Sequence, residues 1–197
     1  DSAIARAQEK GFAEANYESD TEGYDSRYKL AILASLAFRK LIDPESISRV
    51  GMTGITPVDL EFARQYQTDE GGPGYSVKLL AIAIKQDDGS LVLEVTPALI
   101  KKDQLLALVN DEFNGIEVDW KNGGPQLTYG RGAGGVATAS AVMDDIDRVV
   151  QNRKRGVIDE LPKLDSNLFI AQRESDTQRS VDIFRPDGTS IRLPIEG

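Results

Sequence analysis

The sequence predicts an α+β fold, or α/β layered, in which a mixed sheet is covered by helices and a short β-rich C-terminal appendage closes the chain. Three observations carry this expectation. Apolar residues recur at helical spacing in several segments; between them lie apolar runs bounded by Gly-rich and Asp-Gly turns, the mark of strands; and from Gly156 onward only period-two alternation remains. Helices outside and strands between make the layers of one sandwich. The 197 residues, 40% hydrophobic and 28% charged with 18 Gly and 8 Pro, suffice to bury a core without disulfides or a structural metal.

The elements follow in order. SAIARAQEKG opens the chain as a helix, with Ser2 as cap and Gly11 as its C-terminal stop. Because the first residue is Asp1 and not Met, the chain is expected to be a piece of something longer. GFAEANYESDTEGY, residues 11–24, carries four carboxylates and three Gly or Asn breakers without helical periodicity, and reads as an acidic ordered loop. From Asp25 to about Leu41 apolar residues stand nearly all round (LAILASLAF), which predicts a helix deep in a core.

Thr56-Pro57 caps a second helix through about Gln67, since Pro is tolerated where the first amide lacks a partner anyway. After GGPG, the runs SVKLLAIAI and LVLEVTP flank DDGS and read as a β-hairpin with a partly buried first strand. A short helix is expected near Lys102–Val109, then strands at GIEVDW and QLTYG around an NGG turn, a Gly-rich loop, and a helix from about Ala137 to Arg153. Past Gly156, NLFIAQRE, RSVDIFR and SIRLPI resemble a small β-meander. The expected organisation is therefore a principal domain over 1–155 and an appendage over 156–197.

Cysteine and histidine are both absent. That excludes Cys/His nucleophile pairs, a Ser-His-Asp triad, a zinc finger and a haem His ligand, and leaves acid–base work to carboxylates, Lys, Tyr or water. No metal site is expected. No apolar run approaches the roughly 20 residues of a membrane span, and no signal peptide opens the chain, so a cytoplasmic protein without a membrane partner is expected. The net charge of −9, from 32 acidic and 23 basic residues, disfavours a nucleic-acid partner. RVVQNRKR (148–155) closes a helix and reads as a complement to its dipole.

Two places carry chemistry. Asp25 and Lys29 stand four apart at the start of the apolar helix, on one face, with Glu14 and Asp20 in the loop before it. Spacing alone makes the pair a surface ion pair. Set beside a carboxylate-rich loop, a Lys that begins a buried helix would instead be partly desolvated and suited to acid–base use. Three carboxylates around it would also hold the ammonium group of an amino-acid substrate.

The second place is Tyr129-Gly130-Arg131-Gly132-Ala133-Gly134-Gly135, between a strand and a helix. Gly130, Gly132 and Gly135 satisfy G-x-G-x-x-G, but no second parallel strand and no acidic residue about 20 positions on complete a dinucleotide fingerprint. Two readings stay open. The loop is a tight turn that lets the helix pack closely, or its bare amides at a helix N-terminus face a cofactor phosphate or a substrate carboxylate.

At these residues the sequence resembles the catalytic domain of homoserine dehydrogenase. GFAEANYESDTEGYDSRYKLAILASLAF is similar to that family's signature, with a Glu, two Asp and a Lys at the mutual spacing of Glu14, Asp20, Asp25 and Lys29. GITPVDLEFA, the KLLA of residues 78–81 and YGRGAGGVATASAVMDDI (129–146) match in family order, so the resemblance spans roughly residues 5–150. Departures are Asn16-Tyr17 where Asp-Pro is usual, Thr53 where a Glu precedes Gly-Ile, Ala137 where Pro is typical, and an inserted TDEGGPGY. None removes a charged member of the site.

The resemblance implies interconversion of L-homoserine and L-aspartate 4-semialdehyde with NAD(P), for threonine and methionine biosynthesis. It assigns Lys29 to proton transfer at the substrate oxygen, Asp25 and Asp20 to orienting that Lys and the reacting hydroxyl, and Glu14 to the substrate ammonium. Gly130, Gly132, Ala133 and Gly134 would face the cofactor. It further implies a homodimer and a Rossmann domain, upstream or in another chain, that binds most of the NAD(P) and supplies a second Lys. No side chain accepts a hydride, so the chain alone is expected to be inactive. A silent amino-acid-binding or dimerisation module of the same fold is the alternative.

Overall fold

The computed structural model describes residue 9 and residues 17–66, 74–157, 164–169, 180–184 and 190–194. Among these the chain divides into two compact units, one of residues 17–107 with the strands from 164 onward, the other of residues 108–157 with Glu9. The layered α+β expectation holds: helices cover a mixed sheet, and the C-terminal residues are β-rich.

In the first unit, a single helical turn α1 (Glu18–Thr21) leads into α2 (Tyr24–Phe38). Strands β1 (Lys40–Ile42) and β2 (Ser48–Arg49) follow, separated by a 3-10 turn, Pro44–Ser46, whose Asp43 side chain accepts from the Glu45 amide at 3.0 Å. Helix α3 (Pro57–Gln65) then precedes the long hairpin β3 (Tyr75–Lys85) and β4 (Leu91–Lys101). β4 is the central strand of a three-stranded sheet, antiparallel to β3 and parallel to β2. That position explains why β4 is buried on both faces while β3 is only partly so.

The core lies between α2 and this sheet. Leu30, Ala31 and Ala34 of α2 pack with Ile42, Ile47, Leu91, Leu93 and Val95. Ser35 ties the end of α2 to β1: its hydroxyl donates to the Ala31 carbonyl at 2.7 Å and accepts from the Ile42 amide at 3.1 Å. A second cluster sets Ala63 of α3 against Tyr75 and Leu99, with Ile55, Tyr66 and Val77 beside it.

Several expectations need correction. α2 is not enclosed all round, because the sheet covers one side only; Tyr28, Ile32, Leu33 and Leu36 on the other side are exposed. Residues 18–21 of the acidic loop are helical. The C-terminal strands do not form a meander: β7 (Asp165–Phe169) pairs in parallel with β1, and only β8 (Ser180–Phe184) and β9 (Ser190–Pro194) pair with each other. Backbone geometry favours that exchange, since Arg39 leaves α2 with φ 59° and turns its carbonyl to accept from the Asp165 amide at 3.0 Å. The opening helix at 2–10, apart from helical Glu9, and most of the TDEGGPGY insertion lie outside the described residues.

In the second unit, β5 (Phe113–Trp120) and β6 (Gly124–Arg131) form an antiparallel ribbon, followed by the loop 132–134 and α4 (Gly135–Lys154). The short helix expected near 102–109 is a 3-10 turn, Leu105–Leu108. Arg153 and Lys154 occupy the last turn of α4, where positive charge complements the helix dipole. Val136, Val142, Met143, Ile146, Val149 and Val150 leave an exposed apolar stripe along it. No helix among the described residues is long and apolar enough to cross a membrane.

Candidate active site

The candidate acid–base pair forms at the start of α2. Gly23 caps that helix with φ 77°, a conformation only glycine adopts cheaply. A Cβ there would also meet Val95 Cγ1 at 2.9 Å. Asp25 therefore falls in the first helical turn, where the dipole favours a carboxylate. One turn on, Lys29 Nζ lies 2.7 Å from Asp25 Oδ2. The desolvation expected for Lys29 does not occur within this chain: its side chain is 59% exposed and that of Asp25 43%, because the pair lies on the uncovered side of α2. At that exposure the pair adds little stability, as the spacing of an i,i+4 surface ion pair implies.

Asp20 sits on α1 and is exposed; its carbonyl accepts from the Gly23 amide at 3.2 Å, and its carboxylate enters no ion pair among the described residues. The structure thus joins Asp25 to Lys29 directly and places Asp20 on the turn before them. Glu14 lies outside the described residues. No group of three acidic side chains among the described residues could hold a metal ion.

Contacts that the sequence did not announce gather on the turn itself. Arg49 donates to the Glu22 carbonyl and, at 3.4 Å, to Glu22 Oε2, and its guanidinium lies 3.7 Å from the centre of the Tyr24 ring. The Thr53 hydroxyl donates to Glu22 Oε1 at 2.5 Å. Next on α2, Arg27 is buried, pairs with Glu45 at 2.6 Å, and stands over the rings of Tyr24 and Tyr28. The ion-pair and hydrogen-bond partners are 18 to 31 positions apart in sequence, a range no local spacing rule covers.

The glycine loop belongs to the second unit. The Gly132 amide donates to the Glu112 carbonyl at 2.8 Å, and a Cβ on Gly132 would collide with the Asn114 side chain. Gly134 caps α4 with φ 104° and offers no side chain to the first-turn amides. Beside the loop, the Phe113 and Tyr129 rings stack 4.7 Å apart and Arg131 lies over Phe113. The loop follows an antiparallel ribbon, so it is not the first turn of a βαβ dinucleotide unit. Uncapped amides fit an anionic group such as a phosphate.

Comparison with known proteins decides the family. The sequence model described as homoserine dehydrogenase matches residues 1–146. This chain belongs to the homoserine dehydrogenase family. A homoserine dehydrogenase of Helicobacter pylori is 42% identical over 151 residues, covering 77% of this chain and 34% of the relative. One from Bacillus subtilis is 37% identical over 195 residues, covering 98% of this chain and 41% of that protein. The crystal structure of a homoserine dehydrogenase from Thiobacillus denitrificans superimposes with a TM-score of 0.72 at 30% identity, over 94% of this chain and 43% of that one. Within the homoserine dehydrogenase family this chain spans between about a third and two-fifths of the length of these curated relatives.

Proposed function

We propose that this chain is the catalytic and dimerising portion of an NAD(P)-dependent homoserine dehydrogenase that interconverts L-homoserine and L-aspartate 4-semialdehyde, and that it is inactive alone. The observation that carries this reading is the Asp25–Lys29 pair, 2.7 Å apart on the first turns of α2 with Asp20 just before it, inside the residues the family model matches.

In the proposed site Lys29 holds and moves the proton at the substrate oxygen. Asp25 orients the Lys29 ammonium, Asp20 orients the reacting hydroxyl, and Glu14 binds the substrate ammonium. The nicotinamide, when bound, supplies the hydride acceptor that no side chain provides. Gly130, Gly132, Ala133 and Gly134 would contact it, and the uncapped amides of α4 support that assignment. A Rossmann domain within the length that relatives have and this chain does not span would bind the remainder of the cofactor. The exposed apolar stripe of α4 supports a covering partner of this kind, and the open apolar side of α2 supports a homodimer. The step belongs to amino-acid biosynthesis, toward threonine and methionine in the cytoplasm.

Calorimetric titration of this chain with homoserine and with NADP tests the arrangement. The reading expects no binding heat from NADP alone. NADP binding to the isolated chain contradicts a nucleotide site placed mainly elsewhere.

A further inference from the structure

We infer that Arg49 is a positioning residue for the proposed reaction, holding the turn that carries Asp20 and Asp25 from both sides of Gly23; the inference rests on the role proposed above for those two carboxylates. The turn has little support of its own. α1 is one helical turn with no side-chain cap and no buried residue. Yet its two carboxylates must keep a fixed separation if one orients Lys29 and the other the substrate hydroxyl.

Arg49 is fixed where the turn is not. It ends β2, paired with the fully buried Val95 of the central strand, and the next amide, Val50, donates to the Val95 carbonyl at 2.8 Å. From that anchor Nη1 of the guanidinium donates to both the carbonyl and the carboxylate of Glu22, and the face of the group lies on Tyr24. These are the residues immediately before and after Gly23. Arg supplies a charged donor and, with it, a planar face that stacks on an aromatic ring; Lys offers a point charge.

The loop after Arg49 completes the grip. The Thr53 hydroxyl donates to Glu22 Oε1 at 2.5 Å, and the Met52 amide donates to the Thr21 carbonyl at 2.8 Å. Gly51 passes so close that a Cβ would lie 2.6 Å from Glu22 Oε2. Every one of these contacts falls on residues 21, 22 or 24, between Asp20 and Asp25. The Arg49 and Glu22 side chains are 20% and 26% exposed, so the contact is sheltered without being a buried charge pair.

The test uses the full-length protein that carries this chain, comparing wild type with Arg49→Ala, Arg49→Lys, Thr53→Val and Thr53→Ser. Thr56→Ala, which weakens a helix cap away from the turn, reports the effect of lost stability alone. Misplacing catalytic groups by about 1 Å costs up to about 100-fold. Arg49→Ala is therefore expected to lower kcat/KM for homoserine roughly tenfold to 100-fold, mainly through kcat, with NADP affinity unchanged. Arg49→Lys should recover part of that loss, and Thr53→Ser should recover what Thr53→Val loses, while Thr56→Ala lowers Tm and leaves kcat/KM in place.

If Arg49→Ala does not fold, Arg49→Lys and the Thr53 pair decide. Variants of Arg49 and Thr53 within about twofold of wild type, or a Thr56→Ala enzyme that loses as much as Arg49→Ala, overturn the inference. A folded wild type with no homoserine-dependent turnover overturns the proposed function and this inference together, whereas an active wild type with indifferent Arg49 variants overturns this inference alone.

Discussion

Gly23, with φ 77°, stands where a side chain would meet two others: an added Cβ would come 2.9 Å from Val95 Cγ1 and 3.4 Å from Leu79 Cδ2. Both the backbone conformation and the contact resist substitution. Gly23→Ala is expected to destabilise the protein by about 1–3 kcal/mol, measured by urea unfolding; a change under about 0.5 kcal/mol would contradict the close approach. The residue's role as a breaker was legible in EGYD, but not its neighbour, because Val95 comes from a strand far along the chain. Asp88 in the β3–β4 turn offers a second check. Its carboxyl is held below the ordinary value of 3.8 by hydrogen bonds from Ser90, first through the hydroxyl and then through the amide, which donates at 2.8 Å. A lowered value means that the turn's contribution is present above 3.8 and lost as pH falls through the folded value. The Ser90 amide resonance should thus titrate with a midpoint below 3.8; a midpoint at or above 3.8 would contradict the bond.

At the scale of elements, α3 shows a sequence signal realised in full. Thr56 accepts from the Asp59 amide at 3.4 Å, while the Thr56 amide and hydroxyl donate to Asp59 Oδ2 at 2.8 and 2.7 Å, a closed capping box. Asp59 is fully buried, so loss of its donor is felt more than at an exposed cap. Thr56→Ala should cost about 1–2 kcal/mol, read from the shift in the urea midpoint at unchanged slope. Other elements were less legible. LVLEVTP suggests that the second hairpin strand stops near Pro97, yet β4 runs to Lys101. β2 pairs only Glu94 and Val95, so past Val95 one side of β4 has no ladder partner among the described residues, and a residue without an N–H is tolerated there. Helix α2 reads as apolar all round because periodicity records which residues avoid water, not which surface covers them. In this chain the sheet covers the Leu30, Ala31 and Ala34 side alone.

Taken whole, the chain is two compact units that share a family match over residues 1–146. The sequence motifs placed the candidate residues because helical spacing fixes Asp25 against Lys29 whatever surrounds them. Spacing alone read Asp25 and Lys29 as a surface ion pair, which they are; the expected desolvation failed, since burial is set by the surfaces that face α2 and these are not encoded in the helix itself. Arg49 and Glu22 were missed for the same reason: tertiary pairing across 27 positions leaves no periodic trace. The acid–base pair belongs to one unit and the glycine loop to the other. The proposed enzyme stands or falls on Lys29. The measurement is the homoserine-dependent reduction of NADP by the full-length protein with Lys29→Ala beside wild type. Removal of a positioned acid–base group is predicted to lower kcat by a factor of about 100 or more while NADP binding is retained; near-wild-type turnover in that variant would contradict the assignment.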